Sequence, residues 1–335
     1  MIEVLGLAYL RDEEVVFTEP RPFLTTLDDV PFAAFDLLRG REQLNIPVMT
    51  NTVGCPFDCT FCYKDVMAGR GYIVRPVDEA VKYLKHAYRF TRRLWWTGGK
   101  KTIFLGDDNI AANQKWAIKF FQEAARLGYR DLVLTCQMRA SACRNDELMN
   151  AVKAAGVSTI FFGFESTSDD DLIAMSKRQT GDDITHAIQA CKKRGIGVNA
   201  MIIWGLEGHQ PGDHLKYVDF LLEHGVEALF LFMFTPLPGT PDGERIRQAS
   251  FMLDVPTRFF DLQHIVFKHP NMTPLQAQMA HLEALESFYS LRQTWSDVRS
   301  GKISWHSALY RIVGWTSLPA ARSQAHHYNN IYLLK

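Results

Sequence analysis

Half of the chain's cysteines fall within one short stretch. Cys55, Cys59 and Cys62 stand in VGCPFDCTFCYKD with the spacing C-x3-C-x2-C, while Cys136, Cys143 and Cys191 are scattered singly. Three kinds of site use such a triplet. On a helix, positions i, i+4 and i+7 share one face, and free cysteine is a small hydrophobe that can line a core. The other apolar stripes of this chain, however, use Val, Leu, Ile and Ala. A structural zinc site is closed by four Cys or His ligands. No second cysteine pair follows at finger-like spacing, and His86 lies in a stretch of helical periodicity. Thiolates also suit iron–sulfur clusters. A four-iron cubane held by three cysteines leaves one iron without a protein ligand. An open coordination position of that kind is where a metal site takes a small molecule.

Positioning such a triplet falls to a regular alternation of elements. Apolar, β-branched runs at 46–53, 102–105, 132–135, 158–164, 198–204 and 228–235 read as strands. Between them, 77–90, 113–127, 146–155, 170–175, 182–193 and 212–223 carry helical periodicity. Gly128, Gly156, Gly195 and Gly225 sit just past four of these, where helix C-caps belong. Strand then helix, six times, implies a parallel sheet with right-handed crossovers. Six units are too few for a closed eight-fold barrel, so the fold class is α/β, a partial, open (β/α)6 TIM-like barrel over 46–244. Residues 1–45 read as a hairpin and a Pro-rich, acidic connector. Residues 245–335 read as a mostly helical region covering the barrel. Its clearest helix is the periodic run TPLQAQMAHLEALESFYSLRQTW (273–295), with Thr273 as N-cap and Pro274 at the first helical position.

In parallel βα folds the loops after the strands build the site. Here those loops are, in order, the cysteine triplet, GDDN (106–109), CQMR ending at Arg139, GFES with Glu165 and Ser166, WGLEG (204–208) and TPLPGTP (235–241). An acid just after a strand also serves as an ordinary helix cap, and that reading stands beside the functional one for Asp108 and Asn109.

The triplet followed by six βα units resembles the signature of the radical S-adenosylmethionine superfamily, with Phe61 as the aromatic residue before the third cysteine. The resemblance implies a [4Fe–4S] cluster on Cys55, Cys59 and Cys62. Its fourth iron chelates S-adenosylmethionine, which is cleaved reductively to a 5′-deoxyadenosyl radical that abstracts hydrogen from substrate. It further implies Phe61 near the adenine and Asp107 or Asp108 at the amino group. Glu165 and Ser166 fall by the ribose and methionine part, and Gly205 lies where backbone approaches adenine. Arg139 is a candidate partner of the carboxylate, because a guanidinium forks onto carboxylates; its alternative is a surface salt bridge. The hairpin, the connector LDDVPFAAFDLL, CQMRA and KRQT resemble the branch that carries a cobalamin-binding domain ahead of the radical domain. The chain begins where such a domain would end, and no D-x-H-x-x-G motif is present. A shortened member or a piece of a longer one are both open at this point.

Bulk properties agree with an enzyme of small molecules. The 335 residues hold 37 basic and 37 acidic side chains, which argues against a general nucleic-acid binder. No secretory leader and no membrane span is evident, so the expected compartment is the cytoplasm, where thiols stay reduced. The expected chemistry is hydrogen abstraction from a small organic substrate, with an external low-potential electron donor and sensitivity to oxygen. A cobalamin-assisted methyltransferase is one alternative. A non-enzymatic iron–sulfur carrier or redox sensor is another.

Overall fold

A computed structural model of the chain describes residues 4–40, 45–69, 71–94 and 98–334. The hairpin pairs β1 (Ala8–Arg11) with β2 (Glu14–Phe17) across Asp12 and Glu13, whose positive φ angles of 50° and 69° make the tight turn. The connector then runs onto the barrel. Phe32 stacks on Tyr83 at 4.6 Å, and Arg75 donates to the carbonyls of Leu27 and Val30.

The barrel follows in chain order. β3 (Val48–Met49) and β4 (Thr52–Gly54) precede α1 (Lys64–Ala68), and β5 (Tyr72–Val74) returns to α2 (Val77–Phe90). Short β6 (Arg93–Leu94) leads to β7 (Lys100–Leu105), α3 (Gln114–Arg126), β8 (Leu132–Met138), α4 (Asp146–Ala154) and β9 (Val157–Glu165). Next come α5 (Asp169–Ala174), α6 (Gly181–Lys193), β10 (Gly197–Trp204), α7 (Asp213–Glu223) and β11 (Ala228–Met233). The main sheet runs β11-β10-β9-β8-β7-β3, all parallel, with β6 antiparallel beside β7. This is the expected open six-stranded barrel. Gly128, Gly156, Gly195 and Gly225 take φ of 67°, 85°, 60° and 61°, the left-handed caps that end four crossover helices.

One strand departs from expectation. The run 46–53 breaks at residues 50–51; β3 stays in the sheet while β4 pairs antiparallel with β5. Its second half is diverted into a small ribbon that carries the cysteine loop.

The C-terminal region contains α8 (Pro241–Gln248), α9 (Pro274–Phe288), α10 (Leu291–Arg299) and α11 (Trp305–Tyr328). α8 runs across position 245. Thr273 caps α9 through a capping box with Gln276, with Pro274 in its first turn. The periodic run ends at Phe288 because Ser290 caps a new helix, accepting from Gln293 N. The expectation that this region covers the barrel needs a more exact statement: its helices seal the open edge. Tyr289 Oη accepts from Leu229 N (3.1 Å) and donates to Leu229 O (2.7 Å). His281 Nε2 donates to Leu231 O (2.9 Å), and burial pushes that imidazole down to about 4, so it stays neutral. Leu262 O accepts from Met233 N. Alternate groups of β11 are thereby satisfied, as a buried edge strand requires. Tyr289→Phe leaves both groups of Leu229 unpaired and should cost about 1–3 kcal/mol in urea unfolding; a loss under about 0.5 kcal/mol would contradict this role for the hydroxyl. Among the described residues no helix is long and apolar enough to cross a membrane.

Candidate active site

Because the strands are parallel, the residues after β7, β8, β9, β10 and β11 converge at one end of the sheet. The cysteine loop leaves β4 through Gly54, at φ 81°. A Cβ there would lie 2.1 Å from Gly71 O, so only glycine lets the β4–β5 ribbon close. Residues 55–62 are not helical, and the three thiols are free and partly exposed. Ties on both sides of Cys59 hold the loop. Arg178 donates to Asp58 (2.9 Å), and Thr60 N donates to Met175 O (3.1 Å). Thr60 Oγ1 donates to Asp242 Oδ2 (2.7 Å) at the start of α8.

Burial pushes the Cys62 thiol up. A backbone N–H at Lys64 opposes this, while Cys59 and Cys55 push in the same direction as burial. Thiolates that share one loop repel one another unless cations lie among them. Among the described residues no three His, Cys, Asp or Glu side chains could hold a single metal ion between them. The scattered thiols differ. Cys136, Cys143 and Cys191 are fully buried, and burial pushes Cys136 far up.

Arg139, directly after β8, is 6% exposed. Its guanidinium lies over the Phe57 ring at 3.9 Å and points one nitrogen at Cys59 Sγ, 3.6 Å away. Its other two nitrogens are buried with no partner. This is no surface salt bridge. A buried cation with orphan donors beside the Cys59 thiol is a costly arrangement that an anion at the mouth would complete. Asn109 stands similarly by Cys55: Nδ2 is 3.9 Å from the sulfur, and Oδ1 is buried without a partner.

The two adjacent acids separate. Asp107 continues the inward parity of Ile103 and Leu105 and is 1% exposed. Its Oδ1 accepts from Asn51 N (2.8 Å) and Thr52 N (2.6 Å), pinning the break between β3 and β4. Asp108 is exposed at the rim. Its carboxyl group is nonetheless partly shielded from water, which raises its pKa, opposed by Gly54 N–H and by Lys64. Asp107 is pushed up to about 6, chiefly by burial. The folded protein therefore retains a proton that the unfolded chain releases between the ordinary carboxylate range and about pH 6. Stability from this group falls as pH rises through that window. In Asp107→Asn that slope should vanish. Urea midpoints at the two ends of that window, near pH ~4 and just above pH ~6, check it, and parallel curves for the two proteins would contradict it.

At the end of β9 a register shift opposite Met201 and Ile202 turns Glu165 out at φ 64°. Its carboxylate accepts from Lys177 Nζ at 2.7 Å, both side chains nearly buried. Gly163 makes room for the pair, since a Cβ there would sit 2.4 Å from Glu165 Oε1. Ser176 and Arg178 also have positive φ (52° and 50°). Strained non-glycine backbone thus clusters where β9 meets the cysteine loop. Gln179 Nε2 donates to the carbonyls of Gly163 and Phe164, and Thr180 caps α6. Every residue of KRQT therefore braces this corner. Lys177 and Gln179 were given no role in the sequence reading, where KRQT was their only signal; Asn109 was weighed there beside Asp108, and Gly163 stood in GFES without a role.

Ser166 Oγ donates to Asp171 Oδ2 (2.7 Å), which also receives Tyr217 Oη and His209 Nε2 at 3.2 Å. Burial raises the Asp171 carboxyl, but its hydrogen bonds outweigh that and hold it below the usual range. His209 Nδ1 accepts from Gly205 N (3.1 Å), so one network ties the loop after β9 to Gly205, at φ 85°, after β10. Phe61 packs against the core with Lys177 Nζ 5.9 Å from its ring centroid. The structure thus gathers every candidate at the strand ends, with Asp107 turned beneath the mouth and Asp108 at its rim.

Comparison with known proteins agrees with this geometry. The Radical SAM superfamily profile matches residues 49–221, over half of the chain. An uncharacterized methyltransferase of Pyrococcus horikoshii is 27% identical over 293 residues, covering 85% of this chain and 61% of that protein. The bacteriochlorophyllide d C-12(1)-methyltransferase of Chlorobaculum tepidum is 24% identical, covering 74% of this chain and 52% of the relative. The chain spans only about half to three-fifths of the length of these relatives. Among solved structures, the cobalamin-dependent S-adenosylmethionine radical enzyme OxsB, with aqua-cobalamin and S-adenosylmethionine bound, superposes with a TM-score of 0.64 at 16% identity. It covers 98% of this chain and 54% of OxsB, and shows a shared fold. Signature, barrel and family profile coincide: the chain belongs to the radical S-adenosylmethionine superfamily, whose cofactors are a [4Fe–4S] cluster and S-adenosylmethionine.

Proposed function

We propose that residues 46–244 form the catalytic barrel of a radical S-adenosylmethionine enzyme, with Cys55, Cys59 and Cys62 as the cluster's protein ligands. The observation that carries this reading is Arg139, buried against Cys59 with two orphan nitrogens. The C-x3-C-x2-C spacing of the three thiols in one non-helical loop supports it too.

When bound, the pair of cofactors supplies the electron transfer that breaks a sulfonium C–S bond and gives a 5′-deoxyadenosyl radical, which abstracts hydrogen from a small organic substrate. The chain's residues bind and orient. Arg139 offers its free fork to the cofactor's carboxylate, and Asp108, at the rim, receives the amino group. Glu165, held by Lys177, and Ser166, held by Asp171, face the ribose and methionine part. Gly205 admits backbone to the adenine beside Phe61. Asp107 positions the cysteine loop from beneath. The electron comes from an external low-potential donor, and the cytoplasm, which keeps the thiols reduced, is the fitting compartment. An iron cluster with an open position also makes the protein sensitive to oxygen.

A cobalamin-assisted methyl transfer is the second reading. It is favoured by relatives named methyltransferases and by the cobalamin-dependent neighbour, and it requires a corrinoid from a further domain or partner. The test is anaerobic reconstitution with iron and sulfide, followed by S-adenosylmethionine and dithionite. Formation of 5′-deoxyadenosine supports the radical enzyme. A fully loaded cluster that yields none points instead to a carrier or redox sensor.

A further inference from the structure

The C-terminal helices present a second surface, remote in kind from the strand-end chemistry. On α11, Ala308, Arg311, Leu318 and Ala325 face inward and are at most 8% exposed. The opposite face carries Trp305 (64% exposed), Leu309 (52%), Ile312 (38%) and Val313 (67%), at i, i+4, i+7 and i+8. The neighbouring helix adds Leu291 and Trp295, exposed at 41% and 52%, and the Trp295 and Trp305 rings meet at 5.4 Å. Two indoles in edge contact with each other, in water, continue as an aliphatic stripe.

Charge identifies what this surface fits. The whole chain is neutral, but residues 291–327 hold Arg292, Arg299, Lys302, Arg311 and Arg322 against one acid, Asp297. Asp297 is spent on buried Arg311, and Arg322 pairs with Glu286. Arg292, Arg299 and Lys302 are exposed and make no ion pair among the described residues. A second copy of the chain, packing the same patch on itself, would bring these cations against their own equivalents. An anionic bilayer surface instead meets the cations with phosphate and receives indole and aliphatic side chains at the headgroup boundary. We propose that α10 and the first half of α11 seat this protein on an anionic lipid surface, lying on the bilayer rather than crossing it.

The test needs no cofactor. The full chain is floated with phosphatidylcholine vesicles, with and without phosphatidylglycerol. Binding should require phosphatidylglycerol and weaken with added salt. It should fall about tenfold or more in Arg299→Glu/Lys302→Glu and comparably in Trp295→Ser/Trp305→Ser. Both pairs are exposed, and unchanged thermal unfolding verifies that each variant folds. Absence of binding, equal binding to both vesicles, or a dimer in sedimentation velocity that the tryptophan variant dissolves would each overturn the proposal.

Discussion

Cys59→Ala, reconstituted without oxygen, should hold no stable four-iron cluster and should form no 5′-deoxyadenosine. The loss should exceed the ~10–100-fold in metal affinity that removing an outer partner of a metal ligand typically costs. Cys59 is the strongest test among the three because the site is built around it. Its flanking residues are tied to Arg178, Met175 and Asp242, and Arg139 points at its sulfur. Alanine leaves those ties in place, so the loop keeps its path while the ligand disappears. Cys143→Ala is the control. That thiol is fully buried in the core, so its removal should reduce stability and leave iron content unchanged. Iron and sulfide analysis with product assay measures both. Equal iron in Cys59→Ala and wild type would remove the triplet from the account.

Asp297→Ala should be the most destabilising single change outside the barrel. Asp297 and Arg311 are 1% and 0% exposed and pair directly, joining α10 to α11. Arg311 also donates to Val226 O (2.7 Å) just before β11 and lies over the Phe288 ring, so it anchors both helices to the sheet. Its Nε already lacks a partner. Removing the carboxylate strands a fully buried cation, which typically costs about 3–5 kcal/mol. For a chain of this size that lowers Tm by about 4–7 °C. Asp297→Leu/Arg311→Met removes both charges and should recover most of the loss, because an apolar pair of similar volume carries no desolvation penalty. A single variant that melts within about 2 °C of wild type would refute the anchoring role.

Much of the barrel was legible because its signals are local. The helix 77–90 was read to the residue from its apolar steps, and four glycines marked helix ends because only they take left-handed φ without strain. The break at 50–51 was not legible. Thr52 and Val53 continue a β-branched run, and what diverts them is a partner, β5, that lies some 20 residues on. The C-terminal helices were placed over the barrel, yet an open six-stranded sheet has an exposed backbone edge, and that need decides where they pack. Nothing in the helical periodicity states it. The C-terminal periodic run was also read through Ser290, whose capping role is the local signal that splits it.

The site shows the same division. The three cysteines, Arg139, Glu165, Ser166 and Gly205 were marked by type and by position after a strand. Lys177 and Gln179 were not, because they lie between two helices and reach β9 only through the fold. The two aspartates could have been told apart: the in-and-out alternation of β7, continued two residues, turns Asp107 inward and Asp108 out.

The central claim is that the triplet leaves one iron of a cubane for S-adenosylmethionine. Electron paramagnetic resonance of the oxygen-free, dithionite-reduced protein, recorded before and after adding S-adenosylmethionine, tests it most directly. The account predicts a reduced [4Fe–4S] signal whose shape changes on addition. A silent sample containing only zinc, or a cluster signal indifferent to the cofactor, would contradict it.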